Sequence, residues 1–180
     1  MHITVYLGSS PGNDPKFIDA ARALGTWIGT HGHTLVYGGA RLGLMNELAN
    51  SVLISGGRVI GVMPRFFVDE GRAHTGLTEL IVTRDMPERK TKMIALGDAF
   101  LAFPGGFGTL EEITEVMDRV VLGHLSAPCM LYDLDGYYAG LKAQLRHAVT
   151  MGLASEEALQ KVWFVRSLAE IEEVLSDPII

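Results

Sequence analysis

The chain has 180 residues, 48% of them apolar, yet no apolar run approaches the roughly 20 residues needed to span a bilayer. Its formal net charge of −6 argues against a nucleic-acid partner, which would call for a basic face, while a small anionic ligand needs only local positive potential. A single cysteine, Cys129, excludes an intrachain disulfide and fits a reducing compartment.

The start of the chain lacks the basic segment and apolar length of a signal peptide, so one cytoplasmic domain over residues 1–180 is the expectation. Residues 3–7 read as a buried strand. Residues 15–30 read as a helix, with Asp14 as N-cap and Pro15 at the first helical position. A short strand over 35–37 precedes a helix over 44–55. Strands follow at 58–63 and 80–82. Between them, residues 66–78 carry Asp69, Glu70, Gly71, Arg72 and Gly76 and read as a long functional loop. Asp85 caps a helix over 86–96, with Glu88 completing a capping box. A strand over 99–103 leads to a helix over 109–122. Its apolar stripe, from Leu110 to Val121, is wide for a helix covering one sheet face. Burial within one chain and a second subunit would each explain it. A strand at 129–132, a helix at 137–151 and a strand at 162–165 follow. The capping box Ser167-Leu168-Ala169-Glu170 opens a terminal helix. Short apolar strands alternating with longer helices imply an α/β fold: a Rossmann-like three-layer sandwich, its mostly parallel sheet covered by helices on both faces.

In such a sheet the loops after the strands collect on one edge, where ligands bind. Three of them are glycine-rich: Gly8-Ser9-Ser10-Pro11-Gly12, Gly38-Gly39-Ala40-Arg41-Leu42-Gly43 and Pro104-Gly105-Gly106-Phe107-Gly108. Together they mark a site where backbone approaches a ligand closely. Gly38 and Gly43 have P-loop spacing, but Leu44-Met45 replaces the Lys-Ser/Thr that would hold phosphate and magnesium. Gly106 and Gly108 begin a dinucleotide fingerprint, but Glu111 fills the third glycine position. Gly8 to Gly12 matches a nucleophile elbow, but Pro11 has no N–H to offer an oxyanion.

The third turn joins a strand to a helix start, whose free N–H groups and partial positive charge suit a phosphate, with the Thr109 hydroxyl as a further donor. Thr109-Leu110-Glu111-Glu112 is also a capping box, and on that motif alone Glu112 could simply cap the helix. Glu111 and Glu112 lie about 100° apart on a helix, so at most one faces the pocket. Arg89 and Lys90 fall in the first turns of another helix on the same edge. Cations there oppose the helix dipole, which favours an anion nearby.

The run Pro-Gly-Gly-Phe-Gly-Thr-Leu-Glu-Glu resembles the PGGxGTxxE motif of the LOG (Lonely Guy) family, cytokinin riboside 5′-monophosphate phosphoribohydrolases once described as possible lysine decarboxylases. Glu88-Arg89-Lys90 resembles the family's second motif. Gly8 to Gly12, Tyr37-Gly38-Gly39 and Asp135-Gly136-Tyr137-Tyr138 also fit, so the resemblance covers nearly the whole chain. It implies a homodimer that cleaves the N-glycosidic bond of a nucleoside 5′-monophosphate such as AMP, releasing free base and ribose 5-phosphate. It further implies catalytic roles for Arg89 and Glu112, with Gly105, Gly106, Phe107, Gly108 and Thr109 on the phosphate. Gly8, Ser9, Gly38, Gly39, Lys90 and Glu111 complete the expected substrate-binding set. A non-catalytic nucleotide-binding or carrier protein on the same fold is the alternative. Three positions depart from the family pattern: Pro87 stands where His is usual, Phe66 where Glu often follows Pro64-Arg65, and Asn46 where a small residue is common.

No metal or cofactor is expected. Among the six histidines only His31 and His33 are close in sequence, and they follow a helix end, where a histidine favours the dipole. Cys129 reads as a core residue. An amino-acid decarboxylase would need a cofactor lysine, and no lysine lies in a recognisable pyridoxal site.

Overall fold

The computed structural model describes residues 1–176. Its strands are β1 (His2–Tyr6), β2 (Thr34–Tyr37), β3 (Arg58–Pro64), β4 (Glu79–Thr83), β5 (Ala99–Ala102), β6 (Cys129–Tyr132) and β7 (Val162–Val165). They form one sheet in the order β4-β3-β2-β1-β5-β6-β7, every neighbouring pair parallel. Parallel neighbours need long crossovers. The helices that supply or flank them are α1 (Pro15–Thr30), α2 (Gly43–Ile54), α3 (Arg65–Asp69), α4 (Met86–Leu96), α5 (Phe107–Val121), α6 (Ala139–Thr150), α7 (Glu156–Gln160) and α8 (Leu168–Ser176).

Alternation along β1 sorts the core into two layers. Ile3, Val5 and Leu7 pack with Leu24 and Ile28 of α1, Leu48 of α2 and Ile171 of α8. Tyr6 packs on the other side with Met93 of α4 and Ile113 and Val116 of α5. Both sheet faces are covered, which is why the central strands read as continuous apolar runs. The wide stripe of α5 is largely accounted for inside this chain: Ile113, Val116, Met117 and Val120 are buried, while Leu110 and Val121 are half-buried. Among the described residues no helix is long and apolar enough to cross a membrane.

Three sequence expectations change. Residues 66–78 are not one loop. Arg65–Asp69 form α3, and Ala73 bridges back to Ala40, so the segment is tied to the second glycine turn. The helix expected from residue 109 opens two residues earlier, at Phe107, with Gly106 as its N-cap. The capping boxes of α4 and α8 are offset. Asp85 accepts from the Glu88 N–H as expected, but the Glu88 carboxylate accepts from the N–H of Arg84, one residue before the cap, and Glu170 treats Arg166 likewise.

Helices α1 and α2 approach closely because Gly25 has no side chain. A Cβ there would meet the Leu48 carbonyl oxygen at 2.6 Å. Helix propensity alone favours Gly→Ala by about 1 kcal/mol. Against an immovable backbone atom, overpacking reverses that sign and leaves Gly25→Ala destabilised by roughly 1–3 kcal/mol. Gly140, exposed near the start of α6 with nothing around it, is the control, and Gly140→Ala gains about 0.5 kcal/mol. Urea unfolding of the two variants checks the opposite signs.

Candidate active site

The strand order reverses direction between β1 and β5, and in open parallel sheets the crevice beyond such a point is where ligands bind. Tyr6 of β1 pairs with Ala102 of β5, so the two strands end level. The Gly8 N–H then donates to the Pro104 carbonyl at 3.4 Å, joining the first glycine turn to the third. A Cβ on Gly105 would collide with the Thr109 hydroxyl and come within 2.8 Å of the Gly8 nitrogen. A Cβ on Gly43 would strike the Ser9 carbonyl, and Gly43 also has a φ of 49°, a left-handed backbone that disfavours side chains. The three turns thus pack backbone against backbone around one opening.

That opening is a cavity of about 500 Å³. Gly8, Ser9, Gly38, Arg89, Gly106, Phe107, Gly108, Thr109, Glu111 and Glu112 line it. Gly39, Lys90 and Gly105, also expected at the ligand, are not among the residues that line it. Helix α5 begins at its rim with no side-chain cap at Gly106, so the first N–H groups of the helix have no capping oxygen. Thr109, in the first turn of α5, is 3% exposed and lines the same space.

Arg89 on α4 and Glu112 on α5 meet at the cavity wall. Arg89 Nη1 donates to Glu112 Oε1 at 2.5 Å, and Arg89 Nε donates to the Val62 carbonyl of β3 at 3.0 Å. Both side chains are about nine-tenths buried. Gly38 makes room for the guanidinium, since a Cβ there would collide with Arg89 Nη2. Burial pushes the Glu112 carboxyl above the ordinary carboxylate value, and Arg89 opposes that rise by stabilising the charged form. Glu112 is the sixth residue of α5 and does not cap it, so the capping-box reading of Thr109 to Glu112 is wrong. The box failed because Gly106 already opens the helix and Arg89 takes the carboxylate.

Lys90 and Glu111, adjacent to this pair in sequence, form a different contact. The Lys90 ammonium sits between the Glu111 and Glu115 carboxylates, 3.1 Å from the latter. The anions that offset Arg89 and Lys90 at the start of α4 are therefore the protein's own. Of the two glutamates, Glu112 faces the buried wall and Glu111 stays at the rim with its side chain 56% exposed. Pro87 occupies the first turn of α4, where no intrahelical N–H bond is lost, and the helix forms around it. Phe66 packs against Phe67 with the rings tilted, at 4.4 Å between ring centroids, and does not line the cavity.

Sequence reasoning missed the apolar wall. Leu42, Met45, Met63, Phe67, Met86 and Met93 line the cavity, together with Tyr6 and Arg72. Arg72 stacks over the Phe67 ring at 4.6 Å and pairs with Glu70. Phe67 and Arg72 fall in the segment singled out as a functional loop. The methionines carry no signal of their own, since core and pocket methionines look alike in sequence.

A family model described as possible lysine decarboxylase matches residues 45–175. The chain belongs to this family, the LOG family of the sequence motifs. It is 44% identical to the cytokinin riboside 5′-monophosphate phosphoribohydrolase of Rhodococcoides fascians, over 89% of this chain and 81% of that one. It is 37% identical to one from Arabidopsis thaliana, over 97% of this chain and 82% of that one. Among solved structures, the molybdenum cofactor carrier protein of Chlamydomonas reinhardtii superposes with a TM-score of 0.73 at 22% identity, covering 98% of both chains. That likeness is one of fold.

Removing one member of a buried ion pair leaves an uncompensated charge, at a cost of about 3–5 kcal/mol, whereas replacing both by apolar groups of similar volume is often near neutral. Arg89→Met and Glu112→Leu are each expected to lose stability on that scale, and the double variant to be more stable than either single one. A double-mutant cycle by denaturant unfolding measures this coupling.

Proposed function

We propose that this LOG-family chain hydrolyses the N-glycosidic bond of nucleoside 5′-monophosphates. The observation that carries the reading is a buried carboxylate, Glu112, beside an uncapped helix N-terminus in one cavity. The volume, about 500 Å³, lies within the range of roughly 300–1,000 Å³ usual for small-molecule sites. The names of the relatives support the same activity.

In this reading the substrate phosphate sits on the free N–H groups at the start of α5, with the Thr109 hydroxyl beside it. The ribose lies over Glu112 and the base against the methionine-rich wall. As the C1′–N bond breaks, its electron pair leaves with the base and positive charge builds on the ribose ring. The Glu112 carboxylate stabilises that charge and orients the attacking water. In sum, the hydroxyl of water goes to C1′ and its proton to the base. Arg89 holds the carboxylate charged and fixed in direction, with the Val62 carbonyl anchoring Arg89 in turn.

Lysine decarboxylation, suggested by the family description, finds less support, since among the described residues no lysine lines the cavity. A homodimer belongs to the proposal. Phe107 at 94% exposure and Leu122 at 59% leave apolar surface at the two ends of α5 that a second copy would cover. A cytoplasmic location fits the lone, buried Cys129.

Glu112→Gln keeps an oxygen for Arg89 and removes the charge. Release of free base from AMP is expected to fall by at least about 100-fold. Activity equal to wild type would remove Glu112 from the mechanism. The active form is the carboxylate, so kcat/KM falls as pH drops through its raised pKa. The acid limb is expected above the ordinary glutamate range, because burial raises the Glu112 carboxyl. Where Glu112 is replaced by Gln, any residual activity should lack that limb.

A further inference from the structure

The motif Asp135-Gly136-Tyr137-Tyr138 lies outside the cavity lining, yet it touches the third glycine turn and the residue just before it. Three successive carbonyls, from Phe103 just before the turn to Gly105 within it, each accept one hydrogen bond. Tyr138 Oη donates to the Phe103 carbonyl at 2.8 Å, the Gly8 N–H to the Pro104 carbonyl at 3.4 Å, and Tyr137 Oη to the Gly105 carbonyl at 2.6 Å. In a trans peptide the C=O and the following N–H point to opposite sides. Fixing the Gly105 carbonyl therefore fixes the direction of the Gly106 N–H, at the N-cap of α5.

The two tyrosines differ in kind. Tyr138 is 2% exposed and belongs to the core. Tyr137 is 45% exposed, with its ring held between two others. Phe17 meets it edge-on at 5.9 Å and Tyr138 at 5.1 Å. The approach is set by Asp135, whose φ of 49° is the one positive value at a non-glycine residue among those described. Lys16 pairs with Asp135 at 2.9 Å, and the Asp133 carboxylate accepts from the Tyr138 N–H at 2.7 Å. Phe17 also fills the space beside Gly12, where a Cβ would come within 2.8 Å of its ring. The strap thus connects the first glycine turn to the third from behind.

We propose that Tyr137 is a positioning residue of the phosphate site: its hydroxyl holds the Gly105 carbonyl outward and so keeps the Gly106 N–H aimed at the substrate phosphate. The inference rests on the reading of the cavity as a nucleoside 5′-monophosphate site. An exposed tyrosine kept only for stability would not connect its hydroxyl to phosphate affinity.

Tyr137→Phe keeps the ring and deletes the hydroxyl. The tests are calorimetric binding of AMP, adenosine and inorganic phosphate, with KM and kcat for AMP. Loss of one hydrogen bond of ordinary strength is expected to weaken AMP and phosphate binding and raise KM by about 3- to 10-fold. Adenosine binding, kcat and the melting midpoint should stay near wild type. Tyr138→Phe, by contrast, should lower the melting midpoint. Unchanged affinity for AMP and phosphate in Tyr137→Phe overturns the proposal, as does an equal loss for AMP and adenosine. If wild type binds AMP without releasing base, the hydrolase reading fails, while the binding comparison still decides the role of Tyr137.

Discussion

The Arg89–Glu112 pair is the constraint on which the rest of the site depends. It joins α4 to α5 across the sheet face beneath the switch between β1 and β5, and through Arg89 Nε it is pinned to the Val62 carbonyl of β3. Desolvating two charges is costly, and their attraction offsets that cost only when the geometry is good and the remaining donors find partners. Both conditions shape neighbouring residues. Gly38 leaves the room that the guanidinium occupies, and Val62 gives Nε its acceptor. A charged pair this deep is a poor device for stability alone. It makes sense beside a cavity, where a carboxylate held ionised in a poorly solvated place can act on a developing positive charge.

The proposed phosphate end rests on a different principle. No lysine or arginine is needed at the tip of α5, because the helix start offers unpaired N–H groups and a partial positive charge. What it needs is backbone held in one direction. The three glycine turns provide this by packing against one another, with the tyrosines of the 133–138 strap behind them. Charge is concentrated where the ribose would sit, and neutral dipoles where the phosphate would sit. This division agrees with the overall negative charge of the chain.

Much of this was legible in the sequence. Strand and helix alternation gave the layers, and the glycine turns fell after β1, β2 and β5, as a parallel sheet requires. The expectation that Glu112 acts at the site came only through resemblance, and the structure places its side chain in the cavity wall. Local pattern favoured a capping box at Thr109, because short-range rules cannot see Arg89, which is 23 residues away and reaches Glu112 from another helix. The same blindness hid α3 and the methionine wall. Arg65-Phe66-Phe67-Val68-Asp69 is too short to show helical periodicity. Lys90 was expected to serve a ligand anion, and long-range packing gave it Glu111 and Glu115 instead.

A hydrolase at this site breaks the bond between C1′ and a base nitrogen. Product balance tests this most directly. Purified protein incubated with AMP, with both fragments quantified over time, should yield adenine and ribose 5-phosphate in equal amounts and no inorganic phosphate. Saturable AMP binding with neither fragment released would rule out hydrolysis here and leave a binding protein on the same fold.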